Sequence, residues 1–128
     1  MAFPAAEDYG LILTLGAPWP VARRNAWIEA ELALLRSAHR AGVPVLGICF
    51  GGQAPATALG GGVEAAPRFE LGWSRLTADA PELVGPGPCF QFHGERRLLP
   101  PGARELARND VASQAFVCVP GACSSIRR

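Results

Sequence analysis

The sequence predicts an α/β domain: part of an open, mostly parallel sheet flanked by helices, with a small peripheral β-ribbon. Three observations carry that prediction. Residues 9–15 (YGLILTL) form a β-branched and aliphatic run ending at Gly16, the pattern of a parallel strand buried on both faces. Residues 23–41 carry a helical stripe. A second short apolar run, Val43-Pro44-Val45-Leu46, reads as another buried strand. Strand, helix and strand at this spacing make a βαβ unit, so the two strands should be parallel and the crossover right-handed.

Each element has its own grounds. In the helix over 23–41, Ile28, Leu32 and Leu35 make one stripe, widened by Trp27, Ala30, Leu34, Ala38 and Ala41. Arg23, Arg24, Glu29, Arg36 and Arg40 lie mostly off it. Gly42 fits the left-handed position that closes a helix, and Pro44 prevents continuation. His39, in the last turn, is expected to be solvated and favourable to the helix dipole. A second helix is expected over 53–59, ended by Gly60-Gly61-Gly62, with Pro55 either kinking it or leaving it poorly formed. Residues 63–66 and 72–78 are expected as short ribbon strands, and 89–93 as an alternating strand. A turn is expected at 98–102, a short helical turn at 103–109, a last strand at 114–119 and a frayed tail at 120–128.

The chain has 128 residues and is 49% hydrophobic, enough for one domain with a real core and too little for two. We expect a single domain with its core over about 9–119. Net charge is +1, so no footprint for nucleic acid or an anionic membrane is expected. All 12 basic residues are arginine, which excludes a P-loop lysine and a Schiff-base lysine. The cysteines at 49, 89, 118 and 123 form no C-x-x-C pair and no zinc spacing with the two histidines, so no metal or cofactor is expected. With no secretory leader pattern and no membrane-spanning run, the expectation is a cytoplasmic protein.

One stretch organises the rest: Gly47-Ile48-Cys49-Phe50-Gly51-Gly52-Gln53. It follows a predicted strand and precedes a predicted helix, with small residues on both sides of one reactive side chain. That is the pattern of a nucleophile elbow, here G-x-C-x-G. The glycines answer a steric need, since the tight turn strains the backbone and a neighbouring β-carbon would clash. A thiol at a helix N-terminus faces the positive end of the dipole, which favours the thiolate. The competing reading of Cys49 is a buried structural thiol.

The same stretch, followed by Ala58-Leu59-Gly60-Gly61, resembles the class I glutamine amidotransferases. Supporting stretches come in the family's order: Leu15-Gly16-Ala17-Pro18, Glu70-Leu71-Gly72-Trp73, Phe92-His93-Gly94-Glu95, Leu99-Pro100-Pro101-Gly102-Ala103 and Ser113-Gln114-Ala115-Phe116. The order and spacing resemble the stand-alone branch related to the GMP synthase amidotransferase domain. The resemblance implies the flavodoxin-like fold of that family and no cofactor. It implies hydrolysis of the glutamine side-chain amide through a cysteine thioester, with release of ammonia. Cys49 would be the nucleophile. Gly16 and Ala17 would belong to the oxyanion loop, with the backbone at Ala17 and Phe50 as donors. Gln53 would contact substrate; its alternative is a solvated helix residue. Glutamine, and a synthetase or acceptor-side protein, are the partners implied.

Three departures qualify this. The His-x-Glu pair that the family carries near the C-terminal end of its domain has no match after Gln114-Ala115-Phe116, and the N-terminal side is short, so truncation at both ends is expected. Ala17 replaces a usual glycine of the oxyanion loop. Pro55 replaces an aliphatic helix residue. His93 and Glu95 spell something like the missing pair and are kept as candidate base and orienter, although by order they match an internal strand near the glutamine pocket. Two functions stay open: a glutaminase with an incomplete triad, or a non-catalytic family member acting as a binding remnant. An open sheet edge would also invite self-association.

Overall fold

The computed structural model describes residues 2–85 and 87–120. The βαβ unit forms as its spacing predicts. Strand β1 (Ile12–Thr14) pairs in parallel with β2 (Val45–Gly47), with Leu13 opposite Leu46. Between them runs helix α1 (Ala26–Ala41), preceded by a 3-10 turn at Val21–Arg23. The helix starts later than the stripe alone suggests, because Arg24 takes a left-handed conformation (φ 50°) and breaks the run. Gly42 ends it at φ 72°, its N–H bonded to the carbonyls of Ala38 and His39.

Helix α2 (Phe50–Ala58) follows β2 directly. The core lies between the two helices: Val21, Ile28, Leu32 and Leu35 pack with Phe50, Ala54 and Ala58. Ile28, Leu32 and Leu35 are the residues of the predicted stripe, and each contributes about 1.5–3 kcal/mol by burial. Arg36 adds a polar tie, its Nε donating to the Ala58 carbonyl at 3.1 Å. Pro55 sits inside α2 without ending it.

The expectation that β1 is buried on both faces does not hold. Thr14 is buried and Val45 packs on the core, while Leu13 and Leu46 are each more than half exposed, as are Leu15 and Ile48. Strand side chains alternate between faces, and among the described residues the helices cover one face of this pair.

The remaining chain is antiparallel ribbon, more continuous than predicted. Strand β3 (Gly62–Arg75) merges two predicted short strands and pairs with β5 (Pro88–Leu98). The register shifts between Ala65 opposite Glu95 and Glu70 opposite His93, so five steps of β3 match two of β5. Strand β4 (Thr77–Ala78) pairs with β6 (Arg104–Arg108), which pairs with β7 (Ser113–Val117). The helical turn expected at 103–109 is therefore a strand. Cross-strand pairing on both sides of β6, together with burial of Leu106 and Ala107, outweighs the local preference of a short Ala-, Arg- and Glu-rich segment for helix. Parallel pairing is confined to β1 and β2 among the described residues. The expected tail lies, apart from Pro120, outside them.

Candidate active site

The turn from β2 into α2 places Cys49 at the N-cap of the helix with φ 59° and ψ −116°. That backbone is sparsely populated for a residue with a β-carbon and costs of order 1–3 kcal/mol. The bend is packed from two sides. A β-carbon on Gly47 would collide with the Gly51 carbonyl, and one on Gly51 would strike the Thr14 backbone. Both glycines are thus required by close approach of backbone to backbone. The turn is closed by N–H bonds from Gly52 and Gln53 to the Cys49 carbonyl, at 2.9 and 3.1 Å. It is tied to β1 by the Ile48 N–H on the Thr14 carbonyl at 3.0 Å. The Cys49 side chain is exposed.

The loop after β1 comes to the sulfur. A β-carbon built on Gly16 would lie 3.6 Å from the Cys49 Cβ and 3.9 Å from its Sγ. Ala17 packs against the core, and Phe50 is buried with its ring 5.5 Å from that of Trp27. Gln53 is 8% exposed, so the solvated alternative does not apply to it. It lines, with Cys49, a cavity of about 420 Å³. Gln91, His93, Glu95, Arg97 and Gln114 line the same cavity. Cys49 and Arg97 also border a second cavity of about 640 Å³, reaching His39 and Leu46.

His93 belongs to a polar cluster within this wall. Its Nε2 lies 2.9 Å from a Glu70 carboxylate oxygen and 3.1 Å from the Gln91 Oε1. Its Nδ1 lies 2.8 Å from the Glu95 backbone carbonyl. Both ring nitrogens therefore lie within hydrogen-bond distance of oxygen atoms of the wall, on Glu70, Gln91 and Glu95. The carboxylate facing His93 is that of Glu70; Glu95 meets it through its main chain. Glu70 is buried and also accepts from Asn109 Nδ2 at 2.5 Å and Gln114 Nε2 at 2.9 Å. Asn109 Oδ1 in turn accepts the N–H groups of Val111 and Ala112. The cluster ties β3, β5, β7 and the 109–112 turn into one wall.

The sequence reading missed Glu70 as a partner of His93 and missed Arg97 altogether. Glu70 stands in one of the motif stretches, but its pairing depends on the β3–β5 register shift, which no local pattern marks. Arg97 is one of twelve arginines, and only its placement against α2 sets it apart. No group of three or more His, Cys, Asp or Glu among the described residues is arranged to hold a metal ion.

The family model for glutamine amidotransferase class-I matches residues 3–92, more than half of the chain. The chain belongs to the class I glutamine amidotransferase family. Solved structures agree with this amidotransferase fold. A glutamine amido transferase from Methylobacillus flagellatus superposes with a TM-score of 0.84 at 34% identity, over 90% of this chain and 50% of that one. A glutamine amidotransferase from Thermotoga maritima gives 0.77 at 27% identity, over 87% and 52%. Among curated relatives, the GMP synthase [glutamine-hydrolyzing] of Aromatoleum aromaticum is 33% identical over 84% of this chain and 24% of its own length. That of Alkalilimnicola ehrlichii is 40% identical over 56% and 16%. This amidotransferase chain thus spans about half the length of the solved structures and a quarter or less of those synthases. No helix among its described residues is long and apolar enough to cross a membrane.

Proposed function

We propose that the chain hydrolyses the side-chain amide of glutamine through a thioester on Cys49, and that it does so slowly. The observation that carries this is the exposed Cys49 thiol on its strained turn, with the Gly16 loop against it. In the reaction the sulfur attacks the amide carbon. The backbone N–H groups of Ala17 and Phe50 hold the oxyanion, and Gln53 positions the substrate from the cavity wall. The amide nitrogen must gain a proton to leave as ammonia, and water then cleaves the thioester. His93 and Glu95 are poor agents for that proton, because both nitrogens of His93 are engaged and the Glu95 link is a main-chain carbonyl. Slow turnover follows, with a faster rate where another chain supplies the acid. An acceptor-side partner fits the names of the relatives, which are synthases. The exposed Leu13, Leu15, Leu46 and Ile48 beside an open strand pair favour association of the chain, with itself or with that partner.

The test is ammonia release from glutamine by the purified chain, with Cys49→Ala as control. Release that Cys49→Ala abolishes supports the proposal. Folded protein that releases none, alone or with added partner, would replace it with the non-catalytic binding reading. Sedimentation over a concentration series tests association; a monodisperse monomer at all concentrations would remove that part.

A further inference from the structure

The ribbon of β3 and β5 is inverted. An antiparallel sheet with one covered face normally turns its apolar residues inward and its polar residues to solvent. Here Glu70 and Gln91 are the buried side chains, and His93 meets both of them. Their strand neighbours Phe69, Leu71, Trp73, Phe90 and Phe92 lie on the other face, as alternation requires. Each of these five is between 57% and 72% exposed.

Strand pairing gathers the five side chains into one patch. Leu71 stands opposite Phe92, and Trp73 opposite Phe90. The Trp73 and Phe90 rings meet edge to face at 5.5 Å, and those of Phe69 and Phe92 at 5.8 Å. Gly94 makes room for Phe69, since a β-carbon there would lie 2.9 Å from its ring. The intervening positions are Glu70 and Gln91, which are buried, and Gly72, so no charge interrupts the patch.

Aromatic side chains carry about 150–250 Å² each, so the exposed part of the patch is roughly 600 Å². That is the upper end of what a soluble monomer leaves in water, about 300–600 Å². Two such faces laid together bury about 1,200 Å², where specific stable interfaces begin. A charged partner surface finds nothing here to pair with. A second copy offers the same charge-free face, and a two-fold contact sets a surface against itself.

We propose that this ribbon face is the contact of a homodimer, in which a second copy of the chain covers Phe69, Leu71, Trp73, Phe90 and Phe92. The proposal does not rest on the glutaminase reading. It leaves the exposed face of β1 and β2 free for a different partner. The contact backs the same two strands whose Gln91 and His93 line the cavity beside Cys49.

Sedimentation equilibrium of the full chain over a concentration series tests this. The chain should reach a dimer and stop there. Trp73→Ser should weaken association at least about 30-fold. Leu46→Gln, on the exposed face of β2, should change it by no more than about twofold, which separates the ribbon from association through β1 and β2. A parent that stays monomeric, or that grows into an open series of larger species, overturns the proposal. So does a folded Trp73→Ser that dimerises like the parent, or a dimer lost in Leu46→Gln. If Trp73→Ser does not fold, hydroxyl-radical footprinting of the parent decides, with Trp19 outside the patch as reference. Oxidation of Trp73 that falls relative to Trp19 as the dimer forms supports the proposal, and a constant ratio overturns it. None of these readouts involves ammonia release, so failure of the glutaminase reading and failure of this one are separable.

Discussion

Thr14 on β1 donates its hydroxyl to the Gly51 carbonyl at 2.8 Å, the carbonyl that Pro55, four residues on, has no N–H to serve. A proline inside a helix leaves the i−4 carbonyl unpaired and costs about 3 kcal/mol in a regular helix. Here a strand residue takes over the missing donor, in a buried position at the elbow. This explains how α2 remains helical through Pro55 and why β1 and the turn that carries Cys49 are locked together.

Thr14→Val should therefore destabilise the fold by about 1–3 kcal/mol, the cost of a buried acceptor left unpaired. In a Pro55→Ala background, where an N–H is restored to the helix, the same change should cost clearly less. Urea unfolding of the four proteins in this double-mutant cycle measures the difference; equal costs in both backgrounds would separate Thr14 from Pro55.

Cys49→Gly should be more stable than Cys49→Ala by about 1 kcal/mol, because glycine adopts the positive φ at that position without strain. Thermal melts of the two variants check this. The same pair of variants separates backbone strain from loss of the thiol.

Glu70 accepts from or faces three side chains on three elements: Asn109, Gln114 and His93. Glu70→Ala should cost about 1–3 kcal/mol, since it leaves these partly buried groups unpaired. Glu70→Gln keeps an acceptor and should cost less. Hydrogen exchange at β3, β5 and β7 would show whether the wall loosens as one unit.

Glu31, on α1, has its ionisation raised above the ordinary 4.5 by burial. The fold prefers its neutral form, so the stability linked to it is fully present below the ordinary value and is lost as pH rises through the raised one. Glu31→Gln should then melt higher than the parent at pH 7, with the gain shrinking toward pH 4. A melting difference that does not depend on pH would exclude this cause.

Much of the first half of the chain was legible locally. The stripe of Ile28, Leu32 and Leu35, the Gly42 closure and the Gly47–Cys49–Gly51 bend each follow from spacing and from what a β-carbon excludes. The second half was less so. Residues 103–109 suit a helix by composition and form a strand because β4 and β7 bracket them. His93 and Glu95 stand two apart in sequence, yet the carboxylate that reaches His93 is Glu70, brought there by the shift between β3 and β5.

By itself, then, the amino-acid order determined which residue could be the nucleophile and the kind of turn it would stand on, because the glycine requirement is steric and local. Tertiary structure alone decided its company. Thr14 completing a proline-broken helix, Glu70 rather than Glu95 facing His93, and an arginine lying against the positive end of α2 are all long-range placements. Their physical origin is the pairing register and packing of separate elements, which neighbouring residues along the chain do not encode.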